Sequence, residues 1–335
     1  MGNRALIVGI DDYGPVDSLN GCKKDATSVA EVLEANGDGS PNFDCKLLLS
    51  SSRKQNVTAS SLLSATEALF DKECDVALFY FAGHGAFTDT LDQGYLVTQD
   101  GSHPNWGIPL ADIVSLANRS HPKVKAAVIL LDSCHSGAAG DDAASKAGSI
   151  ATIGTGTTIL AACRKDEGAV DDDGNGHGLF TGLLIDAIKG GASDVLGRIT
   201  PASIYAYIDQ TLGEWSQRPV YKANVDRFVN LRSVPPKVPL ETMRRLPKYF
   251  TSPSSTFPLD PSFEEDRSGV ADRKGLPPPD PENVRTFKEL QLCNRQGLVV
   301  PDGAEHMYYA AIDSKGCRLT TTGAHYWRLA CQGRI

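Results

Sequence analysis

Two kinds of apolar pattern alternate along the chain. Ala5–Ile10, Cys45–Leu49, Asp75–Ala82, Lys125–Asp132 and Thr158–Ala162 are short, nearly continuous apolar runs flanked by polar residues. Such runs predict strands buried on both faces, as in a parallel sheet. Between them, apolar residues recur every three or four positions. Val29, Val32 and Leu33 mark a helix that begins near Ala26 and stops near Asn36-Gly37. Leu62, Ala65 and Leu69, widened by Leu63 and Phe70, mark another over Thr58–Lys72. Ile108–Ala117 and Leu179–Ile188 are also expected to be helical, and Thr200-Pro201 places a polar cap and an N1 proline at the start of a further helix. Asn224–Leu231 is the expected last strand. Strand–helix alternation of this kind predicts an α/β fold: a mostly parallel central sheet of about six strands flanked by helices.

The texture changes at Val234. Residues 235–281 hold 11 of the 19 prolines, with Ser and Asp and few aliphatic residues. That composition predicts an extended linker over 234–282 that separates a first domain (1–233) from a C-terminal module (283–335). The module reads as a helix (Val284–Gln296), two short strands (around Leu298-Val299 and over Met307–Ile312) and a closing helix over Leu319–Leu329. This order resembles the end of a winged-helix domain. The tail carries seven Arg and Lys against four Asp and Glu, too slight a basic excess for nucleic acid. Docking of a regulatory protein partner is the expected role.

Composition narrows the class. Of the 335 residues, 41% are hydrophobic and 22% charged, enough for a sizeable core. A formal net charge of −8 argues against nucleic acid as the partner of the whole chain. No apolar run approaches the roughly 20 residues needed to span a bilayer, and Ala5–Ile10 is too short for a signal sequence. The eight cysteines are scattered without CxxC pairs, as expected of thiols in a reducing, cytoplasmic setting.

One cysteine stands apart. Cys134 follows the apolar run Ala126–Leu131 and lies among Asp132, Ser133, His135 and Ser136. In open α/β sheets chemistry collects at the carboxyl ends of strands, so Cys134 is a candidate nucleophile. Its thiol needs a base, since a free thiol has a pKa of about 8.5. His135 is adjacent, and neighbouring side chains on an extended segment point to opposite faces. His84 ends the preceding long apolar run; in a sheet built in sequence order it would project beside Cys134. His177 lies in His177-Gly178-Leu179-Phe180-Thr181, a near copy of His84-Gly85-Ala86-Phe87-Thr88. It reads as a helix-entry residue that packs its loop.

Phe81-Ala82-Gly83-His84-Gly85, followed 50 positions after the histidine by Cys134 within Asp132-Ser133-Cys134-His135-Ser136-Gly137, resembles the caspase-fold cysteine peptidases in their metacaspase and bacterial caspase-like branch. Leu19-Asn20-Gly21-Cys22-Lys23-Lys24-Asp25-Ala26 is similar to the metacaspase entry motif, and Gln217-Arg218-Pro219 to the end of the family's small subunit. The resemblance covers roughly residues 1–233 and implies a caspase-like sandwich. It implies an endopeptidase in which Cys134 attacks the scissile carbonyl, His84 protonates the leaving amine, and the backbone N–H groups of Gly85 and Cys134 hold the oxyanion. It further implies a P1 pocket lined by Cys22, Asp25, Ala82 and Asp132. Two carboxylates there favour Arg or Lys at P1 and repel an acidic residue. Asp25 also stands where an N-cap belongs.

Regulation is expected from two places. The Gly-, Ala-, Ser- and Thr-rich stretch 137–157 holds a single basic residue, Lys146, a candidate for self-cleavage. Asp166-Glu167 and Asp171-Asp172-Asp173 only loosely suggest calcium, without EF-hand spacing, so no metal or other cofactor is expected. The family suggests a part in bacterial defence or cell death. A caspase-like scaffold that has lost catalysis and acts by docking is the alternative reading.

Overall fold

Ala126–Leu131, the apolar run before Cys134, is an inner strand of the main sheet. The computed structural model describes residues 2–88, 93–134, 153–162, 176–212, 219–266, 268 and 275–335, with Phe87 and Cys134 described by their backbone alone. The chain divides into two compact units, 1–235 and 236–335.

In the first unit the elements run β1 (Asn3–Gly9), α1 (Cys22–Glu34), β2 (Phe43–Leu49), α2 (Ala59–Asp71), β3 (Cys74–Thr88), β4 (Gln93–Ser102), β5 (Asn105–Pro109), α3 (Leu110–Ser120), β6 (Val124–Cys134) and β7 (Thr157–Ala161). They continue with α4 (Leu179–Asp186), a π-helical turn over Ala187–Gly191, β8 (Arg198–Ile199), α5 (Pro201–Leu212), β9 (Val220–Asn224) and β10 (Arg232–Ser233). The main sheet has the order β2-β1-β3-β6-β7-β9. It is parallel except for β9, which runs antiparallel to β7. The expected α/β architecture is therefore present.

Successive residues of a strand face opposite sides, and here each side has its own core. Leu78, Tyr80 and Ala82 of β3 join Val128 and Leu130 of β6 in a layer with Val29 and Leu33 of α1 and Leu184 of α4. Phe79, Phe81, Ile129 and Leu131 join a layer with Leu62 and Leu69 of α2 and Ile113 of α3. Each continuous apolar run is thus a strand that serves both layers at once. α1 can approach β1 closely because residue 9 is glycine: a Cβ there would lie 2.5 Å from the Cys22 carbonyl oxygen and 2.8 Å from the Ala26 Cβ.

Three boundaries depart from expectation. β3 does not stop at Ala82 but continues to Thr88, because Gly83 and His84 stay paired with β6 and Gly85–Thr88 pair antiparallel with β4. The last strand of the main sheet is Val220–Asn224, not Asn224–Leu231. Val229 and Leu231 are buried in the α1-side core without belonging to a strand, so their apolar character reports packing alone.

The third departure is the proline-rich stretch. It is not an extended linker over 234–282, and the second unit begins at Pro236 rather than 283. It holds α6 (Leu240–Tyr249) and β11 (Thr256–Pro258), followed by α7 (Pro281–Arg295), β12 (Val299–Asp302), α8 (Met307–Ile312), β13 (Gly316–Leu319) and α9 (Thr321–Cys331). β11 and β12 flank β13, both antiparallel to it. Few as they are, Met243, Leu246, Phe250, Leu259 and Phe263 are all buried. Phe250, Phe257, Phe263 and Phe287 meet edge to face, and the Trp327 indole N–H donates to the Phe250 carbonyl at 2.8 Å. Several prolines act as punctuation: Pro281 opens α7 behind the Asp280 cap, and Pro261 opens a 3-10 turn behind Asp260. Met307–Ile312, expected as a strand, is helical. Among the described residues no helix is long and apolar enough to cross a membrane.

Candidate active site

The site is built at the carboxyl ends of β1, β3 and β6. β3 and β6 are adjacent and in parallel register, so that Ala82 pairs with Asp132, Gly83 with Ser133 and His84 with Cys134. The residues expected as base and nucleophile are therefore partners across one strand pair. Gly85 follows in the extension of β3, opposite Leu96 of β4.

His84 is buried, at 3% exposure, and the loop after β1 holds it in two ways. The Tyr13 hydroxyl accepts the His84 backbone N–H at 2.8 Å, while the two rings lie 4.8 Å apart and tilted. Residue 83 must be small for this contact, since a Cβ there would sit 2.6 Å from the Tyr13 oxygen. The second hold is the main-chain carbonyl of Asp17, 2.8 Å from Nε2 of His84. A carbonyl only accepts, so Nε2 carries the proton and Nδ1 is the basic nitrogen of the neutral ring. Burial pushes the imidazole below its ordinary value of 6.5, partly offset by the Asp17 carbonyl. Gln99 steadies the same loop: its amide donates to the carbonyls of Asp12 and Ser51 and its oxygen accepts the N–H groups of Asn56 and Val57.

α1 supplies the second part of the site. Its first residue follows Gly21 at φ 109°, and no side chain caps it locally. Asp11 caps it from the preceding loop instead, accepting the N–H groups of Cys22 at 2.8 Å and Lys23 at 3.4 Å. Asp25 lies inside the helix rather than at the N-cap. It is 4% exposed, and Asp132 is 6% exposed. Asp132 accepts the Thr181 hydroxyl at 2.6 Å, and Thr181 stands 2.6 Å from the Tyr80 hydroxyl. The direction follows from the chemistry: Tyr80 donates to Thr181, which donates to the carboxylate. Burial, with the Asp132 and Asp25 charges, holds the Tyr80 phenol well above 10, in its donor form. Asp25 meets the His177 ring, Nδ1 to Oδ1 at 2.6 Å, and the Gly178 N–H at 3.4 Å. Burial, aided by the Asp132 charge, pushes the Asp25 carboxyl up to about 6 against the pull of His177 and Gly178.

Asp25 and Asp132 are thus near enough to act on each other and on Tyr80, with half-buried Cys22 on the first turn of α1 and Ala82 in register with Asp132. Lys146 and the acidic run 166–173 lie outside the described residues. Sequence reasoning missed the Asp17 carbonyl, which no side chain announces. It also read His177 as a loop-packing residue, whereas the structure sets it against Asp25. The echo of His84-Gly85 in His177-Gly178 was the available signal.

A family model described as the caspase domain matches residues 3–228. The chain belongs to the caspase family. The chain is 28% identical over 153 residues to Metacaspase-1 of Meyerozyma guilliermondii, an alignment that takes in 41% of this chain and 36% of that relative. Among solved structures, protein GSU0716 of Geobacter sulfurreducens covers 70% of this chain with 98% of its own, at 18% identity and a TM-score of 0.49. The Drosophila initiator caspase Dronc covers 66% of this chain with 79% of its own, at 13% identity and a TM-score of 0.45. The matched family is a peptidase family.

Proposed function

We propose that the chain is an endopeptidase that cleaves proteins after Arg or Lys. The observation that carries this reading is the register of β3 on β6, which pairs His84 with Cys134 two residues beyond Ala82 and Asp132. In the reaction, Nδ1 of His84 takes the thiol proton and the Cys134 sulfur adds to the scissile carbonyl. The imidazolium, steadied through Nε2 on the Asp17 carbonyl, then returns the proton to the leaving amine. The acyl-enzyme is hydrolysed by water activated at the same nitrogen. The backbone N–H groups of Gly85 and Cys134 bind the oxyanion, a role worth roughly 3–4 kcal/mol per donor where it has been measured.

Cys22, Asp25, Ala82 and Asp132 form the P1 pocket. A cation near a buried carboxylate gains on the order of 4 kcal/mol at an effective dielectric near 20, before desolvation. An acidic P1 side chain meets like charge and is rejected. The chemistry draws on no metal ion, so cleavage in EDTA is expected to match cleavage with calcium. Self-cleavage after Lys146 is the proposed activating step, and an active preparation with an intact Lys146-Ala147 bond would refute it. Residues 283–335, read as a winged-helix-like module, dock a protein partner, and a cytoplasmic setting suits the thiols.

The test is a positional-scanning peptide library. Wild type should turn over Arg and Lys reporters alone, Cys134→Ala and His84→Ala should be inactive, and Asp132→Ala should lose the basic reporters. Equal cleavage of an Asp reporter by wild type overturns the specificity.

A further inference from the structure

One short segment serves both carboxylates of the proposed P1 pocket. His177 and Gly178 hold Asp25, and four residues after His177, in the first turn of α4, Thr181 holds Asp132. The His177 and Asp25 side chains are both well covered, at 14% and 6% exposure, so their 2.6 Å contact is not a loose surface pairing. They lie 152 residues apart in sequence.

We propose that His177 is the positioning residue of the P1 pocket: its imidazole keeps the Asp25 carboxylate ionised and oriented to receive a basic P1 side chain. This inference rests on the basic-P1 reading given above. An ionised carboxylate in this setting needs help. Asp25 is desolvated and shares the pocket with Asp132, and both effects favour its protonated form. The His177 ring opposes them, with a smaller contribution from the Gly178 N–H. The other groups near the pair are the Tyr80 phenol from β3, the Cys22 thiol on the same helix as Asp25, and the Lys24 ammonium, which lies beside Gly176. Tyr80 stays neutral, and Thr181 shields one oxygen of Asp132. Of the groups that favour the ionised form of Asp25, the His177 ring acts most strongly. Thr181 plays the matching part for Asp132, but as a neutral donor it exerts no comparable control over charge.

The proposal predicts a separation of binding from chemistry. In wild type, KM for an Arg reporter should rise as the pH falls through about 6, where Asp25 takes up its proton. In His177→Ala the same rise should occur about one to two pH units higher. KM at neutral pH should then increase about two- to tenfold, while kcat stays within about twofold. His177→Asn, which keeps an N–H donor but no titratable ring, should restore most of the wild-type KM. His177→Phe keeps the ring volume without the donor and stands in for the alanine variant if that one does not fold. A measurement without variants is also at hand: adding benzamidine to wild type should shift the imidazole NMR signals of His177.

A KM–pH profile in His177→Ala or His177→Phe that matches wild type overturns the inference. So does a loss confined to kcat, a failure of His177→Asn to restore KM, or a His177 signal that ignores benzamidine. Failure of the underlying reading looks different. In that case wild type turns over no Arg or Lys reporter, or Asp132→Ala leaves KM for the Arg reporter unchanged.

Discussion

Asp25 carries a conflict between stability and use. Its folded-state value of about 6 lies above the ordinary 3.8, so the folded protein binds a proton there more readily than the unfolded chain does. The ionised carboxylate therefore costs stability in full above about pH 6, and that cost fades as the pH falls toward about 4. Asp25→Asn is expected to raise the Tm by a few degrees at neutral pH and to have no effect near pH 4, while raising KM for an Arg reporter. Calorimetry across that range checks it; a Tm gain that persists at acid pH would contradict the assignment. Tyr13 offers a second test. Tyr13→Phe keeps the ring against His84 but leaves a buried N–H without its acceptor, a loss of about 1–3 kcal/mol. Urea melts should show that cost, and kcat should fall with KM nearly unchanged, because the base and not the pocket is disturbed. For His84 itself, burial lowers the imidazole pKa, so the ring stays a neutral base at pH values where an exposed histidine is half protonated. The acid limb that His84 gives to kcat should accordingly fall below 6.5.

At the scale of elements, the site depends on how closely α1 seats on β1. Gly9 permits it, because a methyl group there would meet the backbone of Cys22 and the side chain of Ala26. Backbone cannot rotate away as a side-chain tip can. Gly9→Ala should cost about 2–3 kcal/mol, read from chemical denaturation. It should also raise KM for basic reporters, since the helix that carries Cys22 and Asp25 is displaced. β3 shows the opposite kind of dependence. The run Asp75–Ala82 reads as a strand on its apolar content, yet the strand continues through Gly83, His84 and Gly85, which favour no strand by themselves. β6 pairs Gly83 and His84 and β4 takes over from Gly85, and local preference gives way to those ladders.

At the scale of the whole molecule, the two compact units have separate cores. Phe250 is fully buried in the second, with its carbonyl bonded by Trp327. Phe250→Ala should destabilise that unit by about 3–5 kcal/mol. Differential scanning calorimetry should then show one transition moved down and the transition of residues 1–235 unmoved. A single transition that shifts as a whole would mean that the units melt together. The second unit is also where sequence pattern misled most. Proline density argues for an extended chain only when the intervening residues have no core to enter. Here Met243, Leu246, Phe250 and Phe263 each find one, and prolines such as Pro261 and Pro281 open elements.

The sequence by itself determined the strand–helix alternation of the first unit, the two-faced burial of the sheet, and the candidate pair His84 and Cys134. These follow from periodicity and from strand ends, which are properties of neighbouring residues. It could not determine who meets whom across the fold. That Asp11 caps α1, that the Asp17 carbonyl holds the His84 ring, and that His177 reaches Asp25 are contacts between segments whose separation no periodicity encodes. A main-chain carbonyl is offered by every residue, and a histidine before a helix reads the same whether it packs a loop or faces a carboxylate. Only the packing of helices on the sheet, which brings distant segments within hydrogen-bond reach, decides between those roles.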